Sequence, residues 1–252
     1  RSWYNLAGVR LMAYNFLGLV NDLNQRAGEV ELTSSNFASV DGYYNLAKQA
    51  VNASIRYINQ DTFTWPFNHT TQEDTLVAGT TRYAFPSDSK YVDKNTFRIK
   101  RDGTIGNESK YLKLIDYEDY LSRFVDDEYN TTNEGIRSMP SYVFITTDRE
   151  YGVYPVPDEA YPLVYEYYSV PTDLSAYDDV PSIPEQFRYL IGDGAHYYLN
   201  FFSGSYEEAD RIWNKYNEGI KDMRSIYVNH YDYLRDTRLE RKYDYITAVR
   251  VN

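Results

Sequence analysis

Asp193 and His196 stand three residues apart in a segment of helical period, a spacing at which a carboxylate and an imidazole can share a metal ion or pass a proton. An interhelical or surface hydrogen bond needs the same spacing and is the preferred reading. The other two histidines, His69 and His230, are too scattered along the chain to complete a metal set. Asp126-Asp127-Glu128 and Asp178-Asp179 offer oxygen ligands for calcium, but neither run has the alternating oxygens and central glycine of a calcium loop, so both are read as solvated loops. Gly192 and Gly194 flank Asp193 without a preceding strand, which excludes a phosphate cradle and leaves close helix packing as their expected use. A nucleophile elbow, a Walker lysine and paired carboxylates of fixable separation are all missing from the sequence. Cysteine is missing too, which removes thiolate catalysis, disulfides and cysteine-ligated zinc. The chain is therefore read as a non-enzyme, with no catalytic, cofactor-binding or metal-binding residue and no cofactor.

Composition points toward contact surfaces instead. Among the 252 residues are 29 tyrosines, a residue that joins large apolar area to a hydroxyl able to hydrogen-bond at a wet surface. Neighbouring pairs such as Tyr43-Tyr44, Tyr167-Tyr168 and Tyr197-Tyr198 point to different faces, so one small core cannot bury them all and some are expected to meet partners. The net charge of −11 disfavours sequence-specific nucleic-acid binding, yet an acidic wall is what a conduit needs if DNA must pass without sticking. No apolar run is long enough to cross a bilayer, and Arg10, Asn15, Asn21 and Asp22 interrupt any signal-peptide core, so a soluble chain without membrane contact is expected. Four N-x-[ST] sequons, at Asn52, Asn68, Asn107 and Asn130, are read as chance in a cysteine-free chain. Because the sequence opens on Arg1, the true start is expected to be missing, disordered or engineered.

The elements follow from periodicity. Val9, Met12, Phe16, Val20 and Leu23 predict a helix over about Ser2 to Arg26, ended by Gly28. Asp41 is the expected cap of a second helix with Ala47, Val51, Ile55 and Ile58 on its face, ending near Asp61 where β-favouring Thr62-Phe63-Thr64-Trp65 begins and Pro66 marks a break. Between Trp65 and Val170 the period falls to two, in Tyr83/Phe85, Phe97/Ile99, Val143/Ile145 and Leu163/Tyr165/Tyr167, which predicts a meander of antiparallel strands. Its turns are placed at Ala78-Gly79, between Thr75-Leu76-Val77 and Thr81-Arg82-Tyr83, at Asp102-Gly103 and at Thr147-Asp148-Arg149. A short helix capped by Asp116 carries Tyr117, Tyr120, Leu121 and Phe124, and Asp126 to Ser138 is then a loop.

Two S-x-x-E boxes, Ser182 with Glu185 and Ser205 with Glu208, open the last helices. Their stripes are Phe187, Leu190, Ile191, Ala195, Tyr198 and Phe202, then Trp213, Tyr216, Ile220, Met223, Tyr227, Tyr231 and Leu234. After Thr237 basic and aromatic residues alternate in an extended, strand-like tail. The expected class is α+β: a helical bundle from residues 1–62 and 182–237, an inserted antiparallel, sandwich-like β module at 63–181, and an extended C-terminal arm at 238–252.

A further set of residues forms a wider pattern. It comprises the helix Asn45 to Asn59 with Thr62 to Phe67, Thr75-Leu76-Val77-Ala78-Gly79-Thr80-Thr81-Arg82-Tyr83, Asn95-Thr96-Phe97-Arg98-Ile99, Tyr154-Pro155-Val156-Pro157-Asp158, Tyr167-Tyr168-Ser169-Val170-Pro171 and Ile183-Pro184-Glu185-Gln186-Phe187-Arg188. Over about Tyr14 to Leu234 this pattern resembles the head-to-tail adaptor, or neck, proteins of tailed bacteriophages, especially of short-tailed phages. The resemblance implies a ring of twelve copies beneath the portal, at the head–tail junction of the virion. Such a ring is assembled in the host bacterial cytoplasm, and DNA passes through its lumen. It further implies that the bundle and the arm grip the portal while the β module faces the tail nozzle or tail tube. The layout read from the residues agrees, since helices at both ends close one bundle if the insert leaves and returns near Trp65 and Pro171. The tail is longer and more tyrosine-rich than the pattern requires. In the arm, Tyr243, Tyr245, Ile246, Val249 and Val251 are expected to enter grooves on the portal or a neighbouring copy, while Arg241, Lys242 and Arg250 pair with acidic rims. The alternative is a glycan-binding or glycan-cleaving module of a tail-associated protein, motivated by the tyrosines and the β block.

Overall fold

The computed structural model describes residues 14–60, 62–101, 108–129 and 136–248, with side chains of the last helix described as far as Tyr227. The chain divides into two compact units, Arg1–Phe67 with Pro171–Asn252, and Asn68–Val170. The fold is α+β, with helical N- and C-terminal parts and an inserted β module.

Among the described residues, four α-helices build the first unit. Helix α1 (Phe16–Ala27) begins where the Asn15 side chain accepts the Gly18 amide at 2.9 Å, a cap worth about 1 kcal/mol. It ends at Gly28, whose φ of 76° suits the left-handed cap that only glycine takes without cost. Thus Gly28 stops the helix as the sequence implies, but the helix starts at Phe16, and Val9 and Met12 lie outside the described residues. Helix α2 (Tyr43–Gln60) buries Ala47, Val51, Ile55 and Ile58. Gly42, not Asp41, stands immediately before it, with its carbonyl accepting from Asn45 and Leu46. The chain then bends at 62–63 instead of entering a strand. Trp65 is 1% exposed and its indole donates to the Ile58 carbonyl at 2.7 Å, so this aromatic segment anchors the bundle.

Helix α5 (Tyr189–Phe202) starts later than its capping box implies. Pro184 follows Ser182 closely, and Glu185–Phe187 form a 3-10 turn before the α-helix begins. Helix α6 (Tyr206–Ala248) starts directly after Ser205, as expected, and buries Tyr216, Ile220 and Met223. Its backbone stays helical to Ala248, which corrects the extended arm over 239–248. No proline or glycine stands between Gly219 and Asn252 to end the helix.

The second unit stacks two four-stranded sheets. The strands are β1 (His69–Leu76), β2 (Arg82–Ala84), β3 (Ser89–Ile99), β4 (Lys110–Tyr111), β5 (Lys113–Leu114), β6 (Tyr142–Ile145), β7 (Glu150–Tyr154) and β8 (Tyr161–Ser169). Their orders are β1-β8-β3-β4 and β2-β7-β6-β5. This is not the expected meander. The turn at 77–80 exists, with the Thr80 amide on the Val77 carbonyl, but the strands beside it join different sheets. Strand β8 returns to lie between β1 and β3, and β5 pairs with β6 in parallel. The turn at Thr147–Arg149 does join the antiparallel pair β6–β7. The turn placed at Asp102-Gly103 lies outside the described residues.

Leu76, Phe97, Ile99, Leu163, Tyr165 and Tyr167 from one sheet meet Val143, Tyr151 and Val153 from the other in a single core, giving a sandwich. Two short helices, α3 (Tyr117–Arg123) and α4 (Val125–Tyr129), are joined at Phe124; Tyr120 of α3 stacks on Phe144 of β6, and Phe124 stacks on Tyr154 of β7. Tyr120 lies 3.8 Å from Phe144 between ring centroids, and the two rings are near-parallel. The acidic run at 126–128 is helical, not looped, because carboxylates in a first turn suit the helix dipole.

Candidate functional site

The carboxylate–imidazole pair on α5 is part of the bundle's framework. Asp193, 5% exposed, accepts from Arg26 of α1 at 2.8 Å and from Lys215 of α6 at 2.9 Å, so it ties three helices. Arg26 also pairs with Asp22 at 2.8 Å. Burial, reinforced by the Arg26 charge, holds the His196 imidazole below its ordinary pKa, which favours the neutral ring. The interhelical reading of Asp193 therefore holds. Gly192 and Gly194 are packing residues, as the sequence implies. A β-carbon at Gly194 would lie 2.2 Å from the Ser54 hydroxyl oxygen and 2.5 Å from the Tyr216 ring.

The acidic runs also have structural partners. Glu128 takes a two-pronged contact from Arg82 at 2.8 and 3.0 Å and a 2.8 Å bond from the Tyr120 hydroxyl, while Asp127 accepts from Tyr154 at 2.8 Å. Asp179 accepts the amides of Ser175 and Ala176, which lowers its pKa. Among the described residues no group of three His, Cys, Asp or Glu is placed to hold a metal ion.

Many tyrosines of the β unit are internal, with hydroxyls that end on carboxylates. Tyr151 and Tyr165 converge on one oxygen of Asp74, at 2.8 and 3.1 Å, and Gln72 holds the other oxygen at 2.8 Å. Tyr161 donates to Asp158 at 2.8 Å and Tyr167 to Asp88 at 3.3 Å. Desolvation, and next the bond to the carboxylate for Tyr151 and Tyr161 or its charge for Tyr165 and Tyr167, raises the pKa of these hydroxyls; that of Tyr154 is pushed up to about 12. Part of the chain's acidity thus serves as an acceptor set for its own tyrosines. Sequence reasoning missed this because the partners are as far apart as Asp74 and Tyr165.

Other aromatics stay in water. Tyr91, Tyr111 and Tyr129 are exposed in the β unit. In the helical unit an aromatic corner forms where α5 turns into α6. Phe201, Phe202 and Tyr206 are 47%, 42% and 60% exposed, and their rings touch in series, with centroids 6.4 Å apart for Phe201–Phe202 and 5.5 Å for Phe201–Tyr206. Tyr197 stacks on Phe201 at 6.0 Å and rests on Trp213 at 4.6 Å. A depression of about 470 Å³ beside this corner is lined by Gly204 to Glu208 and Arg211. The signal in sequence was Phe201 beside Phe202, two rings on different faces of the helix end; Phe202, expected on the buried stripe, is exposed.

The expected arm residues fall at the far end of α6. Arg241, Lys242, Tyr243, Tyr245 and Ile246 are on its last described turns, and Val249, Arg250 and Val251 lie outside the described residues. Anchored by Tyr216, Ile220 and Met223, a helix of 43 residues at 1.5 Å per residue is about 65 Å long, far longer than the 14-residue α5 it packs against. Among the described residues no helix is long and apolar enough to cross a membrane.

The chain thus has a helical part contributed by both its ends, a β module inserted within it, and exposed aromatic surface. The family model for SU10 adaptor protein matches residues 14–241, and the chain belongs to that family of phage adaptors. No curated protein matches it.

Proposed function

We propose that the protein assembles a ring, of twelve copies, that joins the portal to the tail of a short-tailed phage and lets DNA pass through its lumen. The observation that carries this reading is the family match, which spans both compact units. The three parts divide the work. The bundle of residues 1–62 and 182–237 lies toward the portal, the module of 63–181 faces the tail nozzle or tail tube, and the arm of 238–252 grips the portal or a neighbouring copy. In the arm, Tyr243, Tyr245, Ile246, Val249 and Val251 supply apolar contact while Arg241, Lys242 and Arg250 pair with acidic rims. The net charge of −11 supports a lumen that repels the passing phosphates. The ring sits at the head–tail junction of a virion assembled in the bacterial cytoplasm.

The test is the mass and negative-stain symmetry of the full chain, alone and mixed with the portal protein. Twelvefold particles that form or grow with portal support the reading, and a monomer indifferent to portal overturns it. Deleting Lys242 to Asn252 then asks about the arm. Unchanged portal binding and infectivity would remove the arm as anchor.

A further inference from the structure

We infer that the aromatic corner at the α5–α6 turn is the dock for the C-terminal tail of a second copy of this chain. The inference rests on the ring reading and names a contact within it. Residues 201 to 208 are exposed throughout, and Phe201, Phe202 and Tyr206 form a connected apolar surface, beside which Glu207, Glu208 and Asp210 make an acidic rim. Arg211 pairs with Glu208 at 3.4 Å, which leaves Glu207 and Asp210 as carboxylates for which no ion pair is found among the described residues. A complementary occupant is apolar and basic. The segment Leu239 to Asn252 is the nearest match in a chain whose net charge is −11, since Arg241, Lys242 and Arg250 outnumber Glu240 and Asp244 and are set among Leu239, Tyr243, Tyr245, Ile246, Val249 and Val251.

Geometry excludes the chain's own tail. The corner is at the first turn of α6, and the helix carries residue 241 to about 50 Å away and Ala248 to about 63 Å away. The four residues after Ala248 reach back at most about 14 Å. The occupant is therefore the tail of another copy.

The experiment places a photo-crosslinking p-benzoylphenylalanine at exposed Tyr206 of the full chain, prepared as a mixture of isotopically light and heavy copies, with portal protein added. Particle mass is measured before irradiation. The expected result is crosslinked peptides joining the 206 region of one copy to residues 239–252 of another, as light–heavy pairs. The same probe at exposed Tyr111 should capture the tail at least tenfold less, and Phe201→Ser with Phe202→Ser should reduce capture from position 206 by a similar factor. Rings of the expected mass in which position 206 captures another segment, only its own copy, or nothing overturn the dock and leave the ring intact. Absence of any assembly overturns both.

Discussion

Tyr216 in the helical unit and Tyr151 with Tyr165 in the β unit are all fully buried, yet their hydroxyls end differently. Tyr216 donates to the Ser54 backbone carbonyl at 3.0 Å and lies 3.2 Å from the Ser54 hydroxyl, both neutral groups fixed on α2. Tyr151 and Tyr165 share a carboxylate, Asp74, on an edge strand. The helical core is mainly aliphatic, with Phe16, Phe37, Trp65 and Phe187 among its buried rings and with Ala47, Ala50, Ala195 and Gly194 letting helices approach, whereas in the β core Phe97, Tyr151, Tyr161, Tyr165 and Tyr167 stand beside about as many aliphatic residues. The difference shows that one residue type can be used as plain volume in one unit and as the donor half of a charged network in the other. The two units should therefore respond to different perturbations. The described tryptophans, Trp65 and Trp213, belong to the helical unit, so their fluorescence follows that unit while tyrosine absorbance follows both.

Alkali should separate the units most. Among the described residues, seven tyrosines of the β unit have raised pKa values, Tyr83, Tyr120, Tyr151, Tyr154, Tyr161, Tyr165 and Tyr167, against four in the helical unit, Tyr43, Tyr198, Tyr216 and Tyr227. Below pH 10, the ordinary tyrosine value, these hydroxyls are protonated whether the chain is folded or unfolded, and their contribution is fully present. Above it the unfolded chain ionises first and stability falls, a loss that for Tyr154 is complete only near pH 12. Thermal melts between pH 9 and about 12 should show the β transition dropping more steeply than the tryptophan-detected one. Equal slopes would break the comparison.

Two glycine variants come next in size. Gly194→Ala puts a β-carbon into Ser54 and Tyr216, and Gly152→Ala puts one 2.0 Å from the Phe144 ring. Each should cost about 3 kcal/mol. The first should shift the tryptophan-detected transition and the second the tyrosine-detected one, as calorimetry with both optical probes would show. Asp74→Ala takes the shared acceptor from two buried hydroxyls and should cost the β unit about 2 kcal/mol in denaturant titration. The smallest effect is expected for Ser54→Ala, under about 1 kcal/mol, because Tyr216 keeps the backbone carbonyl. A larger loss for Ser54→Ala than for Asp74→Ala would reverse the assignment of neutral and charged anchoring.

Local signals were legible in the sequence. The left-handed stop at Gly28, the alternation of Phe97 with Ile99 and of Leu163 with Tyr165 and Tyr167, and the close packing around Gly192 and Gly194 all follow from one or two neighbouring residues and their period. What escaped depends on distant partners. Nothing beside His69 announces Tyr168 as its opposite number, and nothing in Lys113-Leu114 announces a parallel neighbour. Thr62 to Trp65 have strand propensity, but the indole bond to Ile58 outweighs it. The arm was misjudged for a local reason, since alternation over few residues is a weaker signal than an uninterrupted helix with no breaker. Of the candidate surfaces, the arm is proposed from composition alone, whereas the corner at Phe201 and Tyr206 needed the turn between two helices to bring its rings together.

The pairing of β1 with β8 sets His69 opposite Tyr168, so the first and last strands of the inserted unit are neighbours. Their backbones run about 5 Å apart. To the helical part, the whole insertion is then equivalent to a very short connection, and the cost of closing that long excursion falls on the folding of the insert itself. Such a unit is a cassette. It can be exchanged for another strand-paired module, or replaced by a few-residue linker, while the helical part keeps the same closure distance, so the inserted unit of an adaptor can diverge while its helical part is kept.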